Sequence, residues 1–464
     1  MSMVINTNSS ALNAIQNLER NKTEITSSMQ KLSSGLKING AADNSADLAI
    51  ATRMGAQIGS LIQASANAQA GVSLINIADG ALNSIAESAT ALRSLAMQAA
   101  NGTLTSTDRH SINKNAEALL QQINSVVSQT NFNGLNLLDG TLNTTLQVGT
   151  QAGDTIAIAI ASANTAEIGV FELTGNAVTA PLGANDLVIS GVNIDASVDD
   201  GLSYRDGSAS AIAIANAINA DHTNANVTAT ANPTVTSTVA FASTGTTNGS
   251  MIINGINTAS ITINGVLEDN VAQAIVAINE ISNETGVVAS ADSATGALVM
   301  TAEDGRNITV EYTDFANTDF GATATETTAS SVTLASSEAI VISGNNPGHA
   351  GLTPGVNSTL TPLSSADLSS QANAVSSLAV IDGAIDMISN LRADLGAVEN
   401  RLYSMIENLS NSSVNLLEAK SQIMDTDFAI EMSNFAKLQI LQQASTTMLA
   451  QANQQPQGVL KLLG

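Results

Sequence analysis

The stretch ISNLRADLGAVENRLYSMIENL, residues 388–409, decides the fold because its apolar residues recur at alternating steps of three and four. This periodicity is typical of a coiled-coil seam, and it predicts a long helix with one apolar stripe. The stripe consists of Ile388, Leu391, Leu395, Val398, Leu402, Met405 and Leu409. A single helix cannot bury such a stripe, so this segment requires a partner helix.

A second stripe of the same kind lies within the first forty residues. It consists of Ala11, Ile15, Leu18, Ile25, Met29, Leu32 and Leu36, and Lys22 interrupts it. We expect this helix to end near residues 38–40. Asn44 or Ser45 is a suitable N-cap for a second helix that ends at Asn101-Gly102, and a third helix is expected from about Asp108 to just before residue 133.

The last hundred residues return to helical spacing after Pro362. Residues 425–427, Asp-Thr-Asp, either interrupt this helix or cap a new one. The segment that follows carries Phe428, Met432, Phe435, Leu438, Leu441 and Met448. We expect Pro456 to end it, which leaves a short apolar tip of Val459, Leu460, Leu462 and Leu463.

The middle of the chain has the period of a β-strand. Residues 146–160 alternate apolar with small or polar residues around a turn at 149–154, which predicts a half-buried hairpin. From about 175 to 360 the sequence is rich in Thr, Ser, Asn, Ala and Gly and contains an internal repeat. Residues 187–192, 217–219 and 227–229 match residues 261–266, 277–279 and 287–290.

Each copy of the repeat predicts a strand, a helix and one or more further strands. The first copy has about fourteen more residues between its glycine and its helix. Repetition of small β/α units is typical of a stacked appendage. The predicted fold is therefore a multidomain α+β chain, in which the terminal helices pair into a coiled-coil-like bundle rod with a β-hairpin and flank a β-rich insertion.

Composition excludes several classes of site. The chain has no Cys, so it can hold neither a disulfide nor a thiolate metal site. The net charge is −25, and from Asn115 to Leu391 the only basic residues are Arg205 and Arg306, which argues against nucleic-acid binding. No run approaches the roughly 18 apolar residues of a membrane span, and the first residues lack the pattern of a secretory signal.

No arrangement of residues predicts catalysis or a cofactor. His110, His222 and His349 lie in unrelated contexts, and none belongs to an H-E-x-x-H pair. Asp199-Asp200 and Glu268-Asp269 lack the loop of alternating oxygen ligands with glycine that calcium requires, and a solvated acidic surface explains them better. We therefore expect neither a metal nor an enzyme activity.

Motifs at both ends resemble those of bacterial flagellins. At the front these are VINTN (residues 4–8), KLSSGLKIN (31–39), AAD (41–43) and QTNFNG (129–134). At the back they are AKLQILQQA (436–444) and LAQANQ (449–454). The resemblance covers about 170 residues at the front and about 95 at the back, with the motifs in the expected order.

The resemblance implies a subunit that self-polymerises into the flagellar filament, the helical propeller for swimming. Residues 1–45 and 420–464 would form an inner terminal coiled-coil domain, and 46–174 with 366–419 a helical rod. Residues 175–365 would form a variable, surface-exposed outer region with repeated units near 186–231 and 259–312. The subunit would be extracellular, exported without a cleaved signal peptide by a type III export apparatus and assembled under a cap.

The apolar stripes are the predicted contacts between subunits. Amphipathic ends with no core of their own gain stability mainly by packing, so we expect them to order on assembly. The candidate assembly residues are Ile15, Leu18, Ile25, Met29, Leu32, Leu36, Leu391, Leu395, Val398, Leu402, Phe428, Met432, Phe435, Leu441 and Met448. Further expected partners are the cap and hook-junction proteins and an export chaperone, for which Val459, Leu460, Leu462 and Leu463 are the candidate contacts.

One departure from the family pattern concerns the vertebrate Toll-like receptor that senses some flagellins. The matching stretch keeps Arg93 and Leu95, but Ala91 and Ser94 stand where charged residues are expected, and Asn115 replaces an expected Glu. Loss of charged contacts typically costs a few kcal/mol, so we expect weak recognition. Two other functions fit the same pattern less well, namely a hook–filament junction protein and an acidic surface adhesin.

Overall fold

The computed structural model describes residues 8–237, 247–264, 266–293, 295–313 and 326–463, with 455–463 described as backbone only. Within it the chain forms two compact units. One comprises Met1–Asn76, Asn143–Ile158 and Gly396–Gly464, and the other comprises Ile77–Leu142 and Ala159–Leu395. The long helices α2 and α8, defined below, contribute residues to both.

The front of the chain forms three helices. These are α1 (Ser9–Ser34), α2 (Ser45–Ala99) and α3 (Ser106–Gln129). α1 ends at Ser34, earlier than predicted, because Gly35 adopts a left-handed φ of 72° and donates its N–H to the Lys31 carbonyl. The predicted start of α2 is confirmed, since the Asn44 side chain accepts the N–H groups of Ala46 and Asp47.

α3 begins two residues before the predicted Asp108 because Thr105 is its N-cap. The Thr105 hydroxyl and the Asp108 carboxylate form a reciprocal capping box. The buried side chain of Arg109 then donates to the carbonyl oxygens of Ala99 and Asn101, each at 2.8 Å. These bonds satisfy carbonyl groups at the end of α2 and fix the turn between the two helices.

Short strands follow α3. They are β1 (Asn131–Phe132), β2 (Leu135–Asn136), β3 (Asn143–Gln147), β4 (Thr155–Ala159), β5 (Gly169–Ala177), β6 (Val188–Ile189) and β7 (Val192–Asn193). β1 pairs with β2, and β3 pairs with β4 as a hairpin. The hairpin prediction is therefore confirmed, with Ile156 and Ile158 on its buried side.

The repeat region alternates helices and strands. In chain order it contains α4 (Ala211–Ala220), α5 (His222–Ala225), β8 (Val227–Ala231), β9 (Thr234–Ser237), β10 (Thr247–Ile253), β11 (Ile256–Asn257), β12 (Ile261–Ile263), α6 (Leu267–Glu280), α7 (Ser282–Thr285), β13 (Val288–Ala291), β14 (Leu298–Ala302), β15 (Ile308–Thr313), β16 (Glu326–Thr328), β17 (Ser331–Ser336), β18 (Val341–Ser343), β19 (Gly355–Val356) and β20 (Thr359–Pro362).

The two copies of the repeat are nested, whereas the sequence predicted a stack. β8 pairs with β17, which follows the whole second copy in the chain. We call residues 169–231 with 331–362 the parent module, and residues 234–328 the inserted module. Each has its own hydrophobic core, one around Ile214, Ile218 and Leu334, the other around Ile278 and Met300.

The alignment of the two copies also needs correction at their first strand. The β6–β7 hairpin turns at Ser190-Gly191, with positive φ at both residues. Its structural counterpart is the β10–β11 hairpin, which turns at Asn254-Gly255 in the same conformation. The sequence match instead pairs this turn with Asn264-Gly265, of which Gly265 lies outside the described residues, because the residues around Ile261 are similar in type to those around Val188.

The helices at the back are α8 (Gln371–Met424) and α9 (Phe428–Leu463). Asp427 caps α9 by accepting the N–H groups of Ala429 and Ile430, so the chain breaks at residues 425–427 as one of the two alternatives proposed. The expected stop at Pro456 is wrong, since α9 continues to Leu463.

The stripe on α8 forms part of the core of the chain itself. Ile388, Leu395, Leu402 and Leu409 are buried at seven-residue spacing. Near Leu409 the partner residues are Leu61 and Ala64 of α2. α8 is also the one described helix long and apolar enough to cross a membrane by length and composition, with 39% of its 18-residue window buried. The sequence analysis predicts no such span, and apolar residues near the start of this helix, Ala374, Val380, Ile381 and Ala384, are buried in the core of the protein.

Candidate assembly surface

α1 and α9 form an antiparallel helix pair. The pairing direction follows from three contacts that join early residues of α1 to late residues of α9 and the reverse. Asn8 Nδ2 donates to the Ala452 carbonyl at 2.8 Å, and Asn21 Nδ2 donates to Ser445 Oγ at 3.2 Å. Leu36, just beyond α1, forms a bridge with Asp425, just before α9.

The seam between these helices has an unbroken heptad-like spacing. On α1 it follows a series of buried or half-buried positions, namely Ala11, Ala14, Leu18, Asn21, Ile25, Ser28 and Leu32. On α9 they are Glu431, Phe435, Leu438, Gln442, Ser445, Leu449 and Ala452. Both series advance by alternating steps of three and four, which is the pattern of knobs-into-holes packing. The seam is therefore mixed, with polar residues near its middle.

Large apolar side chains around the outside of the pair, away from this seam, are exposed, and together we call them its exposed apolar face. On α1 it includes Leu12, Ile15 and Met29, and on α9 it includes Phe428, Ile430, Met432, Ile440, Leu441 and Met448. Ile440 and Met448 are the most exposed of these, at 66% and 64%. So many large apolar side chains on one helix pair are typical of an interaction surface.

The predicted assembly residues divide into three groups. Ile15, Met29, Phe428, Met432, Leu441 and Met448 are exposed on the helix pair. Leu18, Ile25, Leu32, Leu36, Phe435, Leu391 and Val398 are half-buried in the chain itself. Leu395 and Leu402 are buried, with 4% and 0% exposure, so they stabilise the chain's own helices in this structure.

Sequence reasoning missed Leu12, Ile430 and Ile440, which lie off the predicted stripes. It also missed the polar seam positions Asn21 and Ser28. The signal was present, because a series through Asn21 keeps the alternating spacing that the purely apolar series lost at Lys22. Polar residues at seam positions hide a heptad from any search that counts apolar residues alone.

The stretch at residues 90–96 lies on α2. Ala91, Arg93 and Ser94 are exposed and Leu95 is half-buried, while Asn115 is exposed on α3. The Arg93 guanidinium forms a salt bridge with Asp382 of α8, with Nη2 3.2 Å from Oδ2. The hydrogen bond to Asp382 raises the pKa of Arg93 further above its ordinary value. The one charged residue kept from the receptor pattern is therefore engaged within the chain.

The apolar tip at Val459, Leu460, Leu462 and Leu463 belongs to the last turns of α9. Its side chains lie outside the described residues. The candidate calcium ligand Asp200 is occupied otherwise, since its oxygens accept the N–H groups of Leu202 and Ser203 and the hydroxyls of Ser203 and Ser210. Across the described ranges, no three His, Cys, Asp or Glu side chains converge as a metal site would require.

Known proteins resemble the chain both at its two helical ends and over its full length. The family model for the bacterial flagellin N-terminal helical region matches residues 5–143, and that for the C-terminal helical region matches residues 378–463. A flagellin of Salmonella choleraesuis is 32% identical, and a B-type flagellin of Pseudomonas aeruginosa is 34% identical, each over 100% of both chains. The solved structure of FliC from Burkholderia pseudomallei is 20% identical, covers 71% of this chain and 99% of its own, and has a TM-score of 0.30.

Proposed function

Because the chain belongs to the bacterial flagellin family and is a subunit that polymerises into the flagellar filament, we propose that the exposed apolar face of α1 and α9 forms its contacts with neighbouring copies. The observation that supports this proposal is the cluster of large apolar side chains that the helix pair leaves exposed. Burying each such side chain between subunits is worth about 1.5–3 kcal/mol, and a filament repeats the gain at every contact.

The proposal extends to the other predicted contact residues. Ile15, Met29, Phe428, Met432, Leu441 and Met448 would contact neighbours directly. Leu18, Ile25, Leu32, Leu36 and Phe435 would hold the helix pair together, and Leu391, Leu395, Val398 and Leu402 would keep α8 in position. A head-to-tail contact whose rotation does not close would then generate a helical polymer.

The test compares polymerisation of two variants that change equally exposed residues. Ile440→Asn removes an apolar side chain from the proposed face, whereas Val276→Asn changes a residue of α6 that is 61% exposed. Loss of about 1.4 kcal/mol per contact raises the critical concentration about tenfold, so Ile440→Asn should require at least that much more monomer to form filaments. Normal assembly of Ile440→Asn by electron microscopy would reject the proposed face.

We propose the layered domain arrangement as well. Residues 1–45 with 420–464 would form the inner layer, 46–174 with 366–419 the rod, and 175–365 the exposed outer region. This arrangement is supported by the charge distribution, because the outer region is acidic and nearly free of basic residues, as suits a solvated surface. Deletion of 175–365 should leave filament growth intact, whereas an adhesin would lose its activity.

The remaining partners are also proposals. The subunit would leave the cell through the type III export apparatus, and Val459, Leu460, Leu462 and Leu463 would bind an export chaperone. Leu460→Ser with Leu463→Ser should abolish chaperone binding in a pull-down. Cap and hook-junction proteins would meet the two ends of the filament, with this chain as the repeated subunit between them.

Recognition by a vertebrate Toll-like receptor would be weak. Ala91 and Asn115 supply no charge, and Arg93 is already paired with Asp382. A reporter-cell assay should show lower potency than an enteric flagellin. Flagellins are structural proteins, and we infer that this chain acts without catalysis, so the purified outer region should show no hydrolytic activity.

A further inference from the structure

The inserted module leaves the parent module and returns to it at one place. The two crossing segments, residues 232–233 and 329–330, are hydrogen-bonded to each other. The Ser330 hydroxyl donates to the Asn232 carbonyl at 2.6 Å, and beside it the N–H of Asn232 donates to the carbonyl of Ser331, the first residue of β17, at 2.9 Å. The crossing therefore acts as one attachment, and a single attachment by paired segments leaves a hinge.

A second attachment comes from a loop of the parent module, residues 199–207. The Ser203 hydroxyl oxygen accepts the N–H of Asn307 at 3.0 Å. The Asn307 side chain, which is 1% exposed, donates to the carbonyls of Arg205 and Asp206 at 3.2 and 3.1 Å. Three hydrogen bonds thus join this loop to the edge of β15.

The same loop contacts the inserted module at two other positions, Glu311 and Gly255. Arg205 Nη2 is 2.9 Å from Glu311 Oε1. The Tyr204 ring covers the turn at Gly255 so closely that a Cβ there would lie 2.5 Å from Cε2. Asn307 and Glu311 are four residues apart on extended chain, so the contacts of the loop are spread over about 13 Å of the inserted module.

The loop itself is held in shape by the parent module. Asp200 accepts the N–H groups of Leu202 and Ser203, at 2.9 and 2.8 Å. The same carboxylate accepts the hydroxyl of Ser210, the N-cap of α4. The loop is thereby anchored to the helix of the parent core, so a force on it is transmitted to that core.

The loop is also what distinguishes the two copies of the repeat. It lies between the hairpin glycine, Gly191, and the start of α4 at Ala211. The matching stretch of the inserted module, from Gly255 to Leu267, is shorter. The copy that carries the extra residues uses them to contact the copy that lacks them.

We propose that residues 199–207 are a strap that fixes the inserted module on the parent module, so that the two move as one body. Arg205 is one of two arginines in the middle of the chain, and its partner Glu311 is 26% exposed. The strap adds a second grip, about 13 Å long, to the hinge at the crossing. This stiffening is independent of polymerisation through α1 and α9.

Spin-label distance measurement tests the strap directly. The chain has no Cys, so Thr353→Cys in the parent module and Asn283→Cys in the inserted module give two unique, exposed labelling sites. The full-length monomer should give one narrow distance distribution. Arg205→Glu places a second carboxylate beside Glu311, and the distribution should broaden because the strap is repelled.

The rescue and the control make the result specific. Arg205→Glu combined with Glu311→Arg restores an ion pair of reversed polarity, so the narrow distribution should return. Asp195→Ala changes an exposed charge just before the strap and should leave the width unchanged. Circular dichroism confirms that each variant is folded.

Three outcomes would overturn the strap. The first is a broad distance distribution in the protein with native Arg205 and Glu311. The second is an unchanged width of the distribution in folded Arg205→Glu. The third is a distribution in the charge-swapped double variant that stays as broad as in Arg205→Glu alone. Filament assembly of the same variants is a separate readout. Normal filaments from a broadened Arg205→Glu variant would support the strap and leave the assembly proposal intact.

Discussion

The side-chain amide of Asn8 donates a 2.8 Å hydrogen bond to the carbonyl oxygen of Ala452. In an uninterrupted helix that carbonyl accepts the N–H of the residue four places later, which here is Pro456 and has none. The Asn8 side-chain oxygen also accepts the Ala11 N–H at 3.0 Å, which caps α1. One residue therefore starts the first helix and satisfies a carbonyl that proline leaves free, which helps α9 to continue to Leu463.

Asn8→Asp should loosen the helix pair at this end. The substitution keeps the acceptor for the Ala11 N–H but, when ionised, has no donor for the Ala452 carbonyl. A hydrogen bond of this kind is worth about 1 kcal/mol, so hydrogen exchange in the first turn of α1 should speed up about fivefold. In a Pro456→Ala background the new N–H at 456 serves the carbonyl and the effect should shrink. An equal effect in both backgrounds would contradict the pairing.

Ser28→Ala should stabilise the same helix pair. Ser28 is 3% exposed, and its hydroxyl has no hydrogen-bond partner within the described chain. Removing an unsatisfied buried hydroxyl recovers about 1 kcal/mol, so exchange in the middle of α1 should slow about fivefold. Ser33→Ala, at an exposed position of α1, is the matched control and should change nothing. Slower exchange in neither variant, or in both, would show that the hydroxyl is not the cause.

The sequence predicted the long helices, and it predicted that each must pack its apolar stripe against another helix, because the spacing of apolar residues follows their burial. Helix starts at Asn44 and Asp427 were predictable from capping chemistry. The end of α9 was not, because the donor that serves the Ala452 carbonyl in place of Pro456 lies 444 residues away in the chain. Local sequence rules contain no information about such distant partners.

The nesting of the two repeats was hidden for a related reason. Sequence similarity identifies the two copies, but strand pairing decides whether one is stacked on the other or inserted into it. Here β8 pairs with β17, which follows the whole second copy in the chain. On the α1–α9 pair, the sequence predicted some of the exposed apolar residues but not Leu12, Ile430 and Ile440, and it did not predict which residues face inward. The seam passes through polar residues such as Asn21, which bonds Ser445. A stripe drawn through apolar residues alone therefore lies one position away from the seam at residues 15, 22 and 29.

The start of α3 should lose order in acid. The pKa of Asp108 is lowered, first by the hydrogen bond from the Thr105 hydroxyl and then by that from the Thr105 backbone. The pKa of Asp108 in the folded chain therefore lies below its unfolded value of 3.8. The ionised carboxylate stabilises the helix start fully above pH 3.8, and this stabilisation is lost as the pH falls through the folded pKa. In the unsubstituted protein, the helical chemical shifts at residues 105–109 should therefore decline below about pH 4. Asp108→Asn should remove this dependence, and an unchanged acid response would show that another group causes it.

Asn279 and Asn219 close the open edges of their two sheets in the same way. Asn279 Nδ2 donates to the Ala289 carbonyl at 3.0 Å and its Oδ1 accepts the Ala289 N–H at 2.8 Å. Asn219 forms the equivalent pair with Ala229 at 2.8 and 2.7 Å. Both alanines lie on strands at the end of their sheets, and both are 4% exposed.

Asn279→Ala should therefore destabilise the inserted module by about 1–3 kcal/mol, because it leaves a buried N–H and a buried carbonyl without partners. Hydrogen exchange in β13 and β14 measures the loss, and Asn219→Ala should act alike on β8 in the parent module. Asn283→Ala, at an exposed position of α7, is the control. The unpaired edge should also promote association between chains, since an open strand is a template for another strand. If Asn279→Ala exchanged no faster than Asn283→Ala, the side chain would be a bystander, and the edge would have to be protected by α6 packing alone.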